Sequence, residues 1–204
     1  MPDEFSSTSE PQVLPPALRE HFAHILEKPE PFAQTVKARL AASNEIDKLE
    51  EQDSLQHLLD FLVVTDDWYH EPSCRAAKNA FIEAALVDEL LETIFAGDLF
   101  SIDEEDLYQC SATISGLVDI FLLIAHLVQF GTNASEGRVR MHMENLASRE
   151  KRRISQFLQK IWDYRDLVLA RIPTRLEPEL GNRLTDAILV CILELEGLYH
   201  DQNQ

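Results

Sequence analysis

The sequence predicts an all-α protein of about eight helices. Three observations carry that prediction. Apolar residues recur at steps of three and four along most of the chain, the period of a helix with one buried face. Only 6 of the 204 residues are glycine, fewer than the turns of a β-sandwich or barrel require. No window of five to eight residues combines β-branched alternation with turn residues at both ends.

The elements follow in order. Residues 1–14 are rich in Ser, Pro and acids and are expected to be a disordered acidic tail, leaving 15–204 as a single all-α domain. Pro16 opens a helix to about Glu27, with Leu18, Phe22, Ile25 and Leu26 on its apolar side. Lys28-Pro-Glu-Pro stops it, and a second helix runs from about Pro31 to Ala42. Ser43 or Asn44 can cap a third, which carries Ile46, Leu49, Leu55, Leu58, Leu59 and Leu62, with a break near Asp53-Ser54. Thr65 to Glu71 reads as a loop, and Pro72 starts a fourth helix ending near Ala84. In the fifth, Leu86, Val87, Leu90, Leu91, Ile94 and Phe95 take one face and Asp88, Glu89 and Glu92 the other, with Gly97 as the stop. A sixth region, about Glu104 to Phe130, is expected to bend at Gly116 and to end at Gly131-Thr-Asn. A seventh begins between Ser135 and Ser148 and reaches Ile172, where Pro173 stops it. The last runs from about Pro178 to His200. Its centre, Ala187-Ile-Leu-Val-Cys-Ile-Leu, is apolar on all sides and is expected to pack on several faces.

Composition excludes some functions. The net charge of −18 argues against nucleic-acid and anionic-membrane binding. The most apolar stretch, Gly116 to Phe130, is too short to span a bilayer and carries Asp119 and His126. The start, Met1-Pro-Asp-Glu, is acidic where a signal peptide needs positive charge. A soluble, cytoplasmic protein is expected. Cys74, Cys110 and Cys191 are odd in number and form no CxxC, so buried apolar positions are the default for all three. Asn133-Ala-Ser matches a glycosylation sequon that has no consequence in the cytoplasm.

Internal repetition separates the helical folds. Glu83-Ala-Ala-Leu-Val-Asp and Ile114-Ser-Gly-Leu-Val-Asp, 31 residues apart, both set a small residue before Leu-Val-Asp. Phe81-Ile-Glu-Ala-Ala-Leu-Val-Asp-Glu-Leu-Leu-Glu-Thr-Ile resembles an armadillo repeat, with Ala85 where that family places its corner glycine and Gly116 at the comparable place in the second copy. The likeness lies mainly in residues 75–130, and its spacing is shorter than the family's usual unit of roughly 40. It implies a divergent armadillo- or HEAT-like helical stack: a scaffold that binds a protein partner in a groove and catalyses nothing. The fold class is therefore an armadillo-like helical stack or a compact helical bundle.

Few residues carry chemistry. Asp66-Asp67-Trp-Tyr-His70-Glu71 resembles the aspartate-rich motif of terpene synthases, which gathers Mg2+ around a diphosphate. No second Asn/Ser/Glu metal motif follows, so a solvated loop in which Asp66 or Asp67 caps a turn is preferred. His21 and His24 lie three apart and could share a metal, but no Glu-x-x-His completes a di-iron site, and both are expected at the core edge. His126 in its apolar run reads as a hydrogen-bonded core histidine. No GxSxG, P-loop or GxGxxG occurs. No catalytic residue, cofactor or metal is expected.

The local charge anomaly is Arg138, Arg140, Arg149, Lys151, Arg152 and Arg153, six of the 18 basic residues within 16 positions. These are the candidate partner-binding residues, suited to an acidic or phosphorylated segment. Against that stands internal use. Residues 1–137 carry 7 Lys/Arg and 26 Asp/Glu, and residues 138–204 carry 11 and 10, so the acidic first part needs counter-charge. Any groove is expected near the fifth and seventh helices, with Trp162 and Tyr164 as anchors, although Trp162 also fits the core stripe. The function expected is a non-enzymatic protein-interaction module. The alternative is a bundle that binds a small hydrophobic ligand or performs metal-dependent chemistry at the Asp-rich loop.

Overall fold

The computed structural model describes residues 13–42, 53–68, 70–96, 111–134, 137–171 and 178–200. Among these residues there are nine α-helices and no strand. They are α1 (Pro16–His21), α2 (Ala23–Leu26), α3 (Pro29–Ala42), α4 (Asp53–Val64), α5 (Pro72–Glu83), α6 (Leu86–Ala96), α7 (Ser111–Asn133), α8 (Gly137–Arg171) and α9 (Pro178–His200). The protein is an all-α bundle, and no described helix is long and apolar enough to cross a membrane.

Proline and burial explain the first boundaries. Pro16 and Pro29 both sit in a first turn, where the missing N–H costs nothing. The first expected helix is two pieces, because Phe22 leaves the helical region at φ −99°, ψ 18°. Its fully buried ring meets Phe61 edge-on at 5.4 Å, Phe61 meets Phe81 at 5.9 Å, and Phe81 meets Phe32 at 6.1 Å. This row of rings, within the 4.5–7 Å of favourable aromatic pairs, ties α3, α4 and α5 to the start of the bundle. Leu14, at the end of the expected tail, is buried in the same core, whereas residues 1–12 lie outside the described residues.

The long helix α7 is the centre. Val118, Ile120, Phe121, Leu123, Ile124, Ala125, Leu127 and Val128 are all buried, which covers most of its circumference. It packs on α4, α5, α6, α8 and α9. As expected, Gly131-Thr-Asn closes α7, whose last residue is Asn133, and the helix runs unbroken through Gly116. Gly131 serves a close approach: a Cβ there would lie 2.6 Å from Cγ of Met143 on α8. The last helix is corrected. Ala187, Ile188, Cys191, Ile192 and Leu195 of α9 are buried, mostly against α7, but Val190 and Leu193 are 41% and 65% exposed. It packs on one side only.

Between α5 and α6 stands a tight corner. Ala85 has φ 60°, the left-handed region, and its N–H donates to the Ile82 carbonyl at 2.9 Å. The other small residue of the sequence repeat, Gly116, lies inside α7 rather than at a corner, so the two copies fold differently.

Candidate functional site

The Ala85 corner borders a cleft of about 280 Å3 between α3, α6 and α8. Its lining includes Lys37 from α3, Asp88, Glu89 and Glu92 from α6, and Arg149 and Glu150 from α8. The acids of α6 are there because that helix buries Leu86, Val87, Leu90 and Leu91, which turns Asp88, Glu89 and Glu92 outward. Asp88 and Glu89 also lie in the first turn of α6, where the helix dipole favours negative charge.

The cations meet those acids directly. Lys37 donates to the Ala84 carbonyl at 3.2 Å and lies 3.5 Å from Glu89. Arg149 pairs with Asp88 and, at 3.0 Å, with Glu150. Arg153 grips Glu92 through both terminal nitrogens, with Nη2 at 3.0 Å from Oε2, and reaches Glu150 at 3.3 Å. The hydrogen bond from Arg153 holds the Glu92 carboxyl below its usual range, and the same bond raises the guanidinium. His142 touches Asp88 at 3.3 Å, yet burial depresses its pKa, so at neutral pH this contact is a hydrogen bond from a neutral ring.

The six candidate cations do not form one patch. On a helix of 3.6 residues per turn, Arg149 and Arg153 flank the α6 side of α8, beside His142. Arg140 and Lys151 fall toward the opposite flank, where Arg140 pairs with Glu144 at 3.0 Å. Arg138 and Arg152 are exposed and share a solvent face, but 14 residues of helix separate them by roughly 21 Å. One phosphate group cannot bridge that distance. Trp162 and Tyr164 lie on α8, and their side chains fall outside the described residues.

The other candidates lie apart from this cleft. Asp66 and Asp67 sit in a short 3-10 turn, and Asp66 faces Lys78 and His126. Lys78 is 2% exposed. Its ammonium donates to the Thr65 carbonyl at 3.2 Å and stands 5.6 Å from the centre of the Phe130 ring. Burial lowers its pKa and that of half-buried His126. Glu71 is a helix cap: its carboxylate accepts from the Cys74 N–H at 2.8 Å, from the Ser73 hydroxyl, and from Arg19 at 2.7 Å. Burial alone would raise its pKa, but these bonds outweigh burial and hold it at about 2. Cys74 and Cys191 are fully buried. Burial pushes the Cys74 thiol up to about 12 and the Cys191 thiol up as well, so neither is a nucleophile at neutral pH. Cys110 lies outside the described residues.

Two roles have no counterpart among the candidates drawn from sequence. Glu71 is not a usual capping residue, and a Pro-preceding acid was its only signal. His57 on α4 comes beside His21 and His24, with ring centroids 6.4 and 5.4 Å away, although 33 residues of chain separate it from the nearer one. As they stand, no three His, Cys, Asp or Glu among the described residues are set to hold one metal. Comparison with protein-family models, with curated proteins and with solved structures gives no match, so the functional reading rests on this chain's own residues.

Proposed function

We propose that the chain is a non-enzymatic helical interaction module that receives a protein partner in the cleft between α3, α6 and α8. The observation that carries this reading is the charge balance of the cleft. Four carboxylates (Asp88, Glu89, Glu92 and Glu150) line it and are answered by three cations, Lys37, Arg149 and Arg153, which leaves an acidic excess in a chain of net charge −18. Such a cleft favours a Lys or Arg side chain of the partner, and the field of the whole molecule steers a basic segment toward it. The acidic or phosphorylated segment expected from the basic cluster has less support, because Arg149 and Arg153 already answer Asp88, Glu92 and Glu150.

The test is fluorescence anisotropy with two peptide panels, one rich in Lys and Arg, the other acidic or phosphorylated. Basic peptides are expected to bind, to weaken as salt rises, and to lose about tenfold affinity when Glu89→Lys reverses one wall charge. Binding confined to the acidic panel, or basic-peptide binding indifferent to Glu89→Lys, overturns the reading.

A further inference from the structure

We propose that Asp88 and Glu150 form a seat for one arginine of the partner, and that Arg149 fills this seat in the free chain as an autoinhibitory contact. The inference rests on the reading of the cleft between α3, α6 and α8 as the receiver of a basic segment. The three cations that answer its acids differ in exposure. The side chain of Lys37 is 34% exposed, that of Arg153 43% and that of Arg149 57%. The acids beneath Arg149 are the most covered of the four. Glu150 is 14% exposed and Asp88 19%, against 26% for Glu89 and 53% for Glu92. The most exposed cation therefore caps the two most covered carboxylates. An exposed guanidinium is readily hydrated once it leaves, whereas covered carboxylates lose more when left alone. Arg149 is thus the cation a partner lifts away most easily, and the acids then need another in its place.

The contacts select arginine over lysine. One guanidinium reaches both acids, Nη2 of Arg149 donating to Asp88 on α6 and Nε donating to Glu150 on α8 at 3.0 Å. The planar fork of an arginine serves two acceptors at once, and a lysine ammonium is a single point charge. The other two cations are held differently. Lys37 is tied to the Ala84 carbonyl at 3.2 Å, and Arg153 grips Glu92 through both terminal nitrogens. His142, the remaining neighbour of Asp88 at 3.3 Å, is neutral at pH 7 and does not replace the lost charge. Arg149 swings into solvent by turning about its own side-chain bonds, with no change in α8. While it is seated, the measured affinity for a basic segment falls with the fraction of chains whose seat is open.

The experiment measures fluorescence anisotropy with an arginine-rich peptide and with the same peptide carrying lysine at every arginine. It uses the full chain as parent, Arg149→Gln and Arg149→Lys, with circular dichroism as the check on folding. Arg149→Gln is expected to bind the arginine peptide about threefold to tenfold more tightly than the parent does. Arg149→Lys keeps the charge and loses the fork, so it is expected to tighten binding by about twofold to threefold. It also keeps the test open if Arg149→Gln fails to fold. In either variant the arginine peptide is expected to bind about threefold or more tighter than the lysine peptide. Equal affinity for the two peptides overturns the arginine seat. A gain in Arg149→Gln with none in Arg149→Lys overturns the proposal too, because net charge alone then explains the gain. If the parent binds basic peptides and weakens with Glu89→Lys, while neither Arg149 variant binds tighter, this inference fails and the reading of the cleft stands. Absence of basic-peptide binding in all three chains overturns both.

Discussion

Ala85 holds a backbone that a Cβ disfavours, at φ 60°. A left-handed alanine costs about 1–2 kcal/mol relative to glycine there, against a loss of about 0.4–1 kcal/mol in unfolded-chain entropy on removing the methyl. Ala85→Gly is therefore expected to stabilise the chain by about 0.5–1 kcal/mol, read from the urea midpoint at unchanged slope. Glu71 makes the opposite case, a side chain whose neighbours reward its charge. Its pKa falls from 4.5 to about 2 on folding. A depressed acid contributes fully above its unfolded pKa and loses that contribution as pH falls toward the folded value. Glu71→Gln should thus cost about 1–3 kcal/mol at pH 7, with the gap to the parent narrowing by pH 3. A constant gap across that range would show that the charge of Glu71 contributes nothing. The Ala85 corner was marked by the likeness of residues 81–94 to a helical repeat, not by its residue type, and the Glu71 cap was not marked by residue type at all. Alanine rarely marks a corner, glutamate is an uncommon cap, and a lysine as buried as Lys78 is rare by type.

At the scale of elements, proline made the boundaries readable. Pro72 and Pro178 start α5 and α9 where the sequence places them, because proline suits a first turn and nothing deeper. Glycine was readable at the end of α7, where Gly131-Thr-Asn closes the helix. Gly131 lets Met143 approach between α7 and α8. Gly131→Val should cost about 2 kcal/mol or more by overpacking, seen as a lower midpoint in urea. An unchanged midpoint would mean that α7 and α8 separate without penalty. In the basic cluster nearness in sequence is not nearness on a helix: Arg149 and Arg153 meet acids of α6, as internal counter-charge requires, while Arg140 and Lys151 fall on the opposite flank of α8. Pairs such as Arg153–Glu92 are half-exposed, so each adds about 0–1 kcal/mol and links the surface of α8 to that of α6.

At the scale of the molecule, net charge outweighs local pairing. With −18 on 204 residues, the fold carries self-repulsion that its exposed ion pairs do not cancel. Raising NaCl from about 0.01 M to about 0.1 M shortens the screening length from about 30 Å to 10 Å, so the thermal midpoint is expected to rise. A fall would mean that the α6–α8 pairs stabilise more than the overall field destabilises. Burial around α7 supplies the opposing force, and its ring of apolar residues makes it the hub on which α4, α5, α6, α8 and, most extensively, α9 pack.

By itself the sequence determined the class of structure and most helix positions, because helical periodicity, proline and scarce glycine act locally and leave their mark on neighbouring residues. Only the tertiary structure decided which helix lies at the centre, that Arg149 and Arg153 answer Asp88 and Glu92, and that His57 joins His21 and His24. Those meetings depend on which faces of distant helices come into register, a choice set by packing over the whole core and recorded in no short stretch of chain.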